Sequence, residues 1–184
     1  PGALLVSANS LSFNIIDGEA MQCQRDLSDK YQVTILPDSR FEMEGQQLNI
    51  GADLSQFPRP FFDAMQMTQA TLSFAFPAGP RADNLSAAAL IASWMGIQAD
   101  YRGIAFDTAE DRLPEKNGIV IGHPGETVGG LKLPEGDTQL QIIDNPANPV
   151  YKLLLVVGKD ETALRAAAWR LTRGNFAGQT ARAT

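Results

Sequence analysis

The sequence predicts a mixed α/β domain preceded by a short β segment, because the hydrophobic pattern changes at a stretch rich in proline and phenylalanine. Before that stretch, apolar and polar residues alternate in short runs, as in strands with one solvent-facing side. After it, continuous apolar runs such as Thr71–Phe76 and Gly118–Gly122 alternate with alanine-rich helical runs. Continuous apolar strands separated by helices are typical of a buried, mostly parallel sheet. We therefore expect a mixed sheet flanked by helices.

The β segment covers residues 1–50 and is expected to be only part of a domain. Its candidate strands are Ala3–Val6, Ser10–Ile16, Tyr31–Leu36 and Arg40–Met43. So few strands cannot close a sandwich around a core, and the segment should therefore be the end of a longer β domain. Its unpaired edge is expected to recruit a strand, either from the α/β domain or by self-association with a second copy.

Residues 51–63 are predicted to form a stiff connector. Pro58 and Pro60 fix their own φ and bias the preceding residues toward an extended backbone. The stretch also contains Phe57, Phe61 and Phe62, whose rings are costly to leave in water. We therefore predict that Phe61 and Phe62 are buried against the α/β domain, while one irregular loop over a single core remains the alternative.

Residues 64–184 are predicted to contain the α/β elements. Their expected bounds, in chain order, are a strand at Thr71–Phe76, a helix at Leu85–Met95 capped by Asp83 or Asn84 and ended by Gly96, strands at Gly103–Phe106, Gly118–Gly122, Gln139–Ile143 and Lys152–Val157, and a helix from Asp160 to Gly174. The segment between the last two strands is too short for a parallel crossover. Those strands should form an antiparallel hairpin or lie apart in the sheet.

The charge balance narrows the class of partner. A net charge of -6 and a pI near 4.7 provide no basic face for nucleic acid or an anionic membrane. We therefore predict no nucleic-acid partner.

The sequence contains few residues that could form a catalytic or metal-binding site. His123 is the only histidine, and it follows a predicted strand at the edge where α/β folds bind ligands, with Glu126 three residues further on. A metal site or hydrolase triad cannot be completed around this pair from the usual residues. The glycine-rich stretch Gly122–Gly130, within the loop Gly122–Gly136 that is particular to this chain, lacks a phosphate-binding motif, which favours a flexible loop. We predict a surface-loop histidine, no catalytic residue, no metal and no cofactor.

Aromatic side chains and one turn are the remaining candidates. Tyr31, Tyr101 and Tyr151 are weak candidates for stacking on sugar rings, whereas Trp94 and Trp169 have the helical spacing of core residues and should be buried. The double Asn-Pro turn, residues 145–149, should be stiff and exposed, which favours a role in contact with another protein. The candidate interface residues are therefore Phe61, Phe62, Asn145, Pro146, Asn148 and Pro149.

Five collinear motifs resemble one family. Leu54–Asp63 resembles the L-x-x-F/L-P-x-P-F-F-D connector of the periplasmic accessory subunit of bacterial cellulose synthase. The other matching stretches are Leu90–Gly96 (I-V-A-S-W-F-G), Tyr101–Phe106 (aromatic-R-G-x-x-F), Leu113–Ile121 (L-P-x-x-N-A-I-V) and Asn145–Asp160 (N-P-x-N-P…K-L-L-x-V-x-G-R-D). The departures are mild, because Met95 replaces a phenylalanine and Lys159 an arginine.

The resemblance implies a specific organisation. Residues 1–50 would be the end of a carbohydrate-binding-like jelly roll, and residues 64–184 a flavodoxin-like domain. The whole protein would be a non-catalytic periplasmic protein, anchored by a C-terminal membrane helix that these residues do not include. Its partner would be the membrane-embedded catalytic subunit of cellulose synthase, which it would scaffold, with guidance of nascent cellulose as a further role.

Two alternatives remain open at this point, namely a nucleotide-binding regulator and a cellulose-oligomer binding module. The family is also labelled cyclic di-GMP-binding. The familiar site for that nucleotide, on the catalytic subunit, needs an R-x-x-x-R pair and a D/N-x-S-x-x-G turn. The arginines here are not spaced in that way, and Asn84–Ala89 lacks the glycine. We therefore predict that these residues do not bind cyclic di-GMP. A cellulose site would instead need at least two exposed aromatic rings in one plane.

Overall fold

The computed structural model describes residues 34–40, 42, 51–64, 69–136, 138–174, 176 and 182–183. The chain divides into two compact units, Pro1–Gln46 and Gln47–Thr184. In the first unit, the Ser39 backbone N–H donates to the Leu36 carbonyl at 3.0 Å and closes a turn. Residues 34–36, 40 and 42 are not in strands, so the strand predictions are wrong there, and residues 36–39 form this turn instead. The other residues of the predicted strands lie outside the described residues.

The described part of the second unit alternates strands and helices. The elements are β1 (Ala70–Phe76), α1 (Ala82–Ala99), β2 (Ile104–Glu110), β3 (Gly118–Gly122), β4 (Thr127–Val128), β5 (Leu131–Lys132), β6 (Gln139–Asn145), β7 (Asn148–Val157), α2 (Glu161–Arg173) and β8 (Arg182–Ala183). Among the described residues, neither α1 nor α2 combines the length and the apolar composition that crossing a bilayer requires.

The main sheet has six strands in the order β2-β1-β3-β7-β6-β8. β1 runs parallel to β2 and β3, and β3 runs parallel to β7. β6 is antiparallel to both β7 and β8. The predicted mixed, mostly parallel α/β sheet is therefore confirmed, and β6 and β7 form the predicted antiparallel hairpin.

The two faces of the sheet are covered differently. Both helices contribute to the larger core, which contains Phe74 of β1, Ile91 of α1 and Leu164 of α2. The opposite face has a smaller core, in which Val120 of β3 packs with Val128 of the β4–β5 hairpin. Successive side chains of a strand point to opposite faces, so each central strand serves both cores.

The bounds of α1 differ from the prediction at both ends. The N-cap residue is Arg81, and the Asn84 side chain accepts a hydrogen bond from the Arg81 backbone N–H at 2.8 Å from within the first turn. The helix continues past Gly96, where a Cβ would meet only open space, and it ends where Asp100 adopts a positive φ of 51°. The prediction that Gly96 ends the helix is therefore wrong, because glycine stops a helix only when a left-handed backbone is needed.

Helix α2 forms as predicted. The Asp160 side chain accepts a hydrogen bond from the Ala163 backbone N–H at 2.8 Å, and Gly174 closes the helix in the left-handed conformation. The predicted burial of Trp169 is wrong, since this side chain is 50% exposed. Its neighbours Ala168 and Leu171 take the core-facing positions instead. Trp94 is only partly buried.

Candidate functional site

The connector is packed into the core of the second unit. Leu54, Phe61 and Phe62 are each at most 5% exposed and belong to the larger core. The predicted burial of the two phenylalanines is therefore confirmed. Their position inside the domain means that they stabilise it by packing rather than by presenting rings at its surface.

The connector is built from turns, which corrects the expectation of an extended backbone. Leu54–Gln56 forms a short 3-10 helix, in which Asp53 accepts a hydrogen bond from the Ser55 backbone N–H at 2.9 Å. Further along, the Phe61 N–H donates to the Pro58 carbonyl at 2.9 Å. Proline fixes φ near -65°, which turns also accept. Hydrogen bonds from the Ser55 side chain and then from its backbone lower the pKa of the Asp53 carboxyl.

Arg102 holds the connector against the end of α1. Its guanidinium donates to the carbonyls of Ala99, at 3.2 Å, and Ala64. The same group lies 5.8 Å from the centroid of the Phe62 ring and 5.9 Å from that of Tyr101. This arrangement gives a structural role to the Tyr101-Arg102-Gly103 motif, because a cation over aromatic faces adds attraction to the packing.

A second group of polar side chains fastens the connector to the amino end of the parallel strands. Asn117, just before β3, donates to the Pro60 carbonyl at 3.0 Å and accepts a hydrogen bond from the Lys152 backbone N–H at 2.7 Å. The Lys152 side chain is buried and lies 2.7 Å from the Asp144 carboxylate. Sequence reasoning gave neither Asn117 nor Lys152 a role, because the partners of Asn117 lie 57 and 35 positions away and a lysine is ordinarily exposed.

Asn145 shows how the double Asn-Pro turn is held. It is fully buried, and its side-chain amide donates to the carbonyls of Pro114 at 2.7 Å and Lys116 at 3.1 Å. The side-chain oxygen of Asn145 accepts a hydrogen bond from the Ala147 backbone N–H at 3.0 Å.

The remaining candidates of this turn, which are Pro146, Asn148 and Pro149, are exposed. Only these three are placed at the surface where a partner can reach them. Their role in protein contact stays a prediction.

Replacing Asn145 by alanine is expected to destabilise the domain by about 1–3 kcal/mol, since two carbonyl groups lose their buried donor. Asn148→Ala is the matched control, because the Asn148 side chain is exposed and accepts only a local hydrogen bond from Val150 N. Urea denaturation of both variants measures the difference. Equal stability of the two variants would show that Asn145 does not fasten the loop.

At the opposite, carboxyl end of the strands lies His123, which is only 6% exposed. Its Nδ1 is 2.6 Å from the Gly158 carbonyl oxygen, and its backbone N–H donates to the Glu126 carboxylate at 2.7 Å. The Nε2 atom lies 3.1 Å from Asp83 Oδ2 without forming a hydrogen bond to it. The predicted surface-loop histidine is therefore wrong, because the ring fills the space between β3, β7 and α1.

Two glycines at this edge are closely packed. A Cβ on Gly158 would collide with the backbone N and Cα of Leu164 in α2, and a Cβ on Gly122 would collide with the Leu133 side chain. Parallel α/β sheets ordinarily bind ligands in a crevice at the carboxyl ends of their strands. Here the protein's own groups fill the part of that edge after β3 and β7, whereas Ala78 and Gly79 after β1 are exposed. Within the described ranges, there is also no cluster of three or more histidine, cysteine or acidic side chains that could hold a metal ion.

An open groove of about 530 Å³ lies along β1 and β2, on the face opposite the helices. Ser73 and Thr71 line its floor. The described side chains that line it include no aromatic ring, and its charged groups balance, because Asp107 and Glu115 face Arg112 and Lys116.

The two described tyrosine candidates lie in different elements. Tyr101 is 81% exposed after α1, whereas Tyr151 is half-buried in β7, and neither lines the groove. Tyr31 lies outside the described residues. The role of these side chains in sugar binding remains a prediction.

The fold is that of a mixed α/β domain whose N-terminal connector is packed into its core. Residues 53–184 match the family model for the first FD domain of cellulose synthase BcsB, and residues 1–47 match the model for its first CBM domain. The chain therefore belongs to the BcsB family of cellulose synthase.

Relatives named "Cyclic di-GMP-binding protein" agree with this assignment. The Pseudomonas fluorescens (strain SBW25) relative is 33% identical over 95% of this chain and 24% of its own length. The Escherichia coli (strain K12) relative is 32% identical over 84% of this chain and 20% of its own length. The Komagataeibacter xylinus relative is 29% identical over 84% of this chain and 19% of its own length. The chain thus spans between about a fifth and a quarter of the length of these relatives.

Proposed function

We propose that these residues form a non-catalytic part of an accessory, regulatory subunit of bacterial cellulose synthase, located in the periplasm and anchored to the inner membrane by a helix elsewhere in the protein. Its role is to scaffold the membrane-embedded catalytic subunit. The observation that supports this most is the packed carboxyl edge of the sheet, where the His123 ring lies 3.1 Å from Asp83 and the His123 backbone N–H donates to Glu126. A histidine held in this way stabilises the fold and leaves little room for a substrate.

We infer a flavodoxin-like fold for residues 64–184. The strand order β2-β1-β3-β7 reproduces the order 2-1-3-4 of that fold, and these four strands are parallel. The departures are the antiparallel strands β6 and β8, the β4–β5 hairpin, and the placement of both α1 and α2 in the core on one face of the sheet. We assign residues 51–63 as the connector and residues 1–50 as the last strands of a carbohydrate-binding-like jelly roll.

We expect the contact with the catalytic subunit to include the exposed turn of the β6–β7 hairpin. Pro146 and Pro149 restrict its backbone, and the buried Asn145 holds its base. A stiff exposed turn loses little conformational entropy on binding. This supports the hairpin turn as the first surface to test.

The test uses the full-length protein and co-purification of the catalytic subunit. Asn148→Arg should reduce the amount of catalytic subunit recovered, because a bulky charge is added to the contact. Glu161→Arg in α2 is the control, since it adds the same side chain at an exposed position away from the hairpin. Equal recovery with both variants would exclude the hairpin turn. Failure of the wild-type protein to retain the catalytic subunit would contradict the scaffolding role itself.

The printed name of the relatives favours cyclic di-GMP binding as a second candidate function. Several arginines that could bind phosphate are already engaged here: Arg59 pairs with Asp63 at 3.3 Å, Arg81 pairs with Asp83 at 3.5 Å, and Arg102 holds the connector. Phosphate recognition relies on available guanidinium groups. The groove adds no net positive charge.

We therefore expect calorimetry at physiological salt to show no saturable binding of cyclic di-GMP by this chain. The same titration with cellohexaose tests the cellulose-binding alternative, for which neither Tyr101 nor Tyr151, the two described candidates, lines the groove. Saturable micromolar binding of the nucleotide would establish a regulatory site. Binding of cellohexaose alone would support a role in guiding nascent cellulose.

A further inference from the structure

Helix α1 carries an exposed ridge, defined here as Leu85, Ala89, Ser93, Ile97 and Tyr101. The first four members are spaced four residues apart in α1, so the ridge runs obliquely across the exposed side of the helix and turns by about 40° at each step. Tyr101 follows in the short 3-10 turn after the helix. All five side chains are exposed. The two at its end are the most exposed, with 73% of Ile97 and 81% of Tyr101 accessible. The ridge thus exposes Leu85, Ala89 and Ile97 along α1, with Ser93 among them and Tyr101 just beyond the helix.

The ridge is not needed for the domain's own core. Other α1 residues, among them Ala87, Ile91 and Met95, already form the buried side of the helix. An amphipathic surface helix would ordinarily carry charges on the opposite side. In α1, however, the sixteen residues from Asn84 to Ala99 include no charged side chain. The ridge therefore lacks the composition of a solvent-facing surface.

Helix α2 provides an internal comparison. It packs beside α1, and its exposed side includes Glu161, Arg165 and Arg173. The same domain thus places charges on the solvent side of one helix and omits them from the other. Depletion of charge together with exposed aromatic and aliphatic side chains is typical of the centre of a protein contact.

The sizes of the ridge side chains and the contact of Tyr101 with Arg102 also suit binding to another element. Small side chains, Ala89 and Ser93, lie between larger ones at its two ends, which lets another element approach closely as i±4 ridges do in helix packing. Tyr101 lies 5.9 Å from the Arg102 guanidinium, which is itself fixed by the Ala99 carbonyl. A side chain held in this way loses less entropy on binding than a free one.

We propose that the exposed ridge of α1 is the contact surface for another domain of the same polypeptide, one that lies outside these 184 residues. The relatives are four to five times as long as this chain, which covers 24%, 20% and 19% of them. The matching family models are named as first CBM and first FD domains, which indicates further domains of each type. A tethered domain binds at high effective concentration, so a modest apolar ridge suffices. The proposal rests on family membership and not on the scaffolding role.

Hydroxyl-radical footprinting of the full-length protein tests the proposal. We expect Tyr101 to be protected there, although it is exposed in this structure, and Ala89→Asp to raise its reactivity several-fold by adding a charge to the contact. Ala166→Asp is the matched control, because it makes the same change at an exposed position of α2 and should leave Tyr101 protected.

Three results would overturn the proposal. One is full reactivity of Tyr101 in the wild-type full-length protein. Another is protection that disappears on dilution, which would identify a second copy as the occupant. The third is protection that requires the catalytic subunit, which would place a different protein on the ridge. Co-purification of the catalytic subunit with Ala89→Asp separates these results from the scaffolding role, which predicts that recovery is unchanged.

Discussion

Replacing Gly158 by alanine is expected to destabilise the domain by at least about 3 kcal/mol, at the upper end of what overpacking usually costs. Gly158 follows β7 and lies against the first turns of α2, where a Cβ would collide with the backbone N and Cα of Leu164. A backbone atom of a helix cannot move aside as a flexible side chain can. The helix must therefore shift away from the sheet, which also disturbs the His123 contact with the Gly158 carbonyl.

Gly96→Ala is the matched control for this substitution. Gly96 lies in α1 with no atom near its missing Cβ, so alanine should stabilise the domain by about 0.5–1 kcal/mol through helix propensity. Urea denaturation of the two variants should give changes of opposite sign. Wild-type stability of Gly158→Ala would show that the packing between β7 and α2 is less close than described.

Phe62→Ala is expected to lower the free energy of unfolding by about 3–5 kcal/mol, the usual range for removing a fully buried aromatic ring. The ring is 4% exposed, packs in the larger core and lies beneath the Arg102 guanidinium. Its loss leaves a cavity and also removes one surface against which Arg102 is held. The connector should then separate from the end of α1 more readily.

Phe106→Ala controls for the chemistry of the substitution, since Phe106 is 37% exposed on β2. Phe106→Ala should lower the free energy of unfolding clearly less than Phe62→Ala does in the same denaturation experiment. Equal costs would mean that the connector ring contributes no more than a surface ring. Oxidative footprinting gives a second measurement, in which the wild-type Phe62 ring should be unreactive.

The elements that sequence reasoning predicts well are those specified by local chemistry. Asp160 and Gly174 bound α2 because the cap and the left-handed glycine act within one turn of the chain. The apolar run of β3 predicts Gly118–Gly122 without error, because burial on both faces leaves few polar residues in a strand.

Sequence reasoning fails where a residue's partner is distant along the chain. The pattern around His123 predicts a surface residue, but the Gly158 carbonyl that it contacts is 35 positions away. Asn145 is predicted as part of an exposed turn, whereas its carbonyl partners lie 31 and 29 positions away. Motif resemblance points to the stretch that contains Asn145 but gives no physical reason for the residue. Such a reason requires the fold, because only folding brings these groups together.

The side-chain amide of Asn145 also fixes the length of a loop. It binds two carbonyls, those of Pro114 and Lys116, and the next residue, Asn117, binds both the connector and β7. Inserting or deleting one residue between Pro114 and Asn117 would move these acceptors out of reach, and the start of β3 would move with them. The turn of the β4–β5 hairpin is constrained in a similar way, since the Gly129 backbone N–H donates to the Asp111 carboxylate at 2.9 Å and a Cβ on Gly129 would collide with the Leu113 backbone N. The Pro114–Asn117 loop therefore tolerates only one spacing.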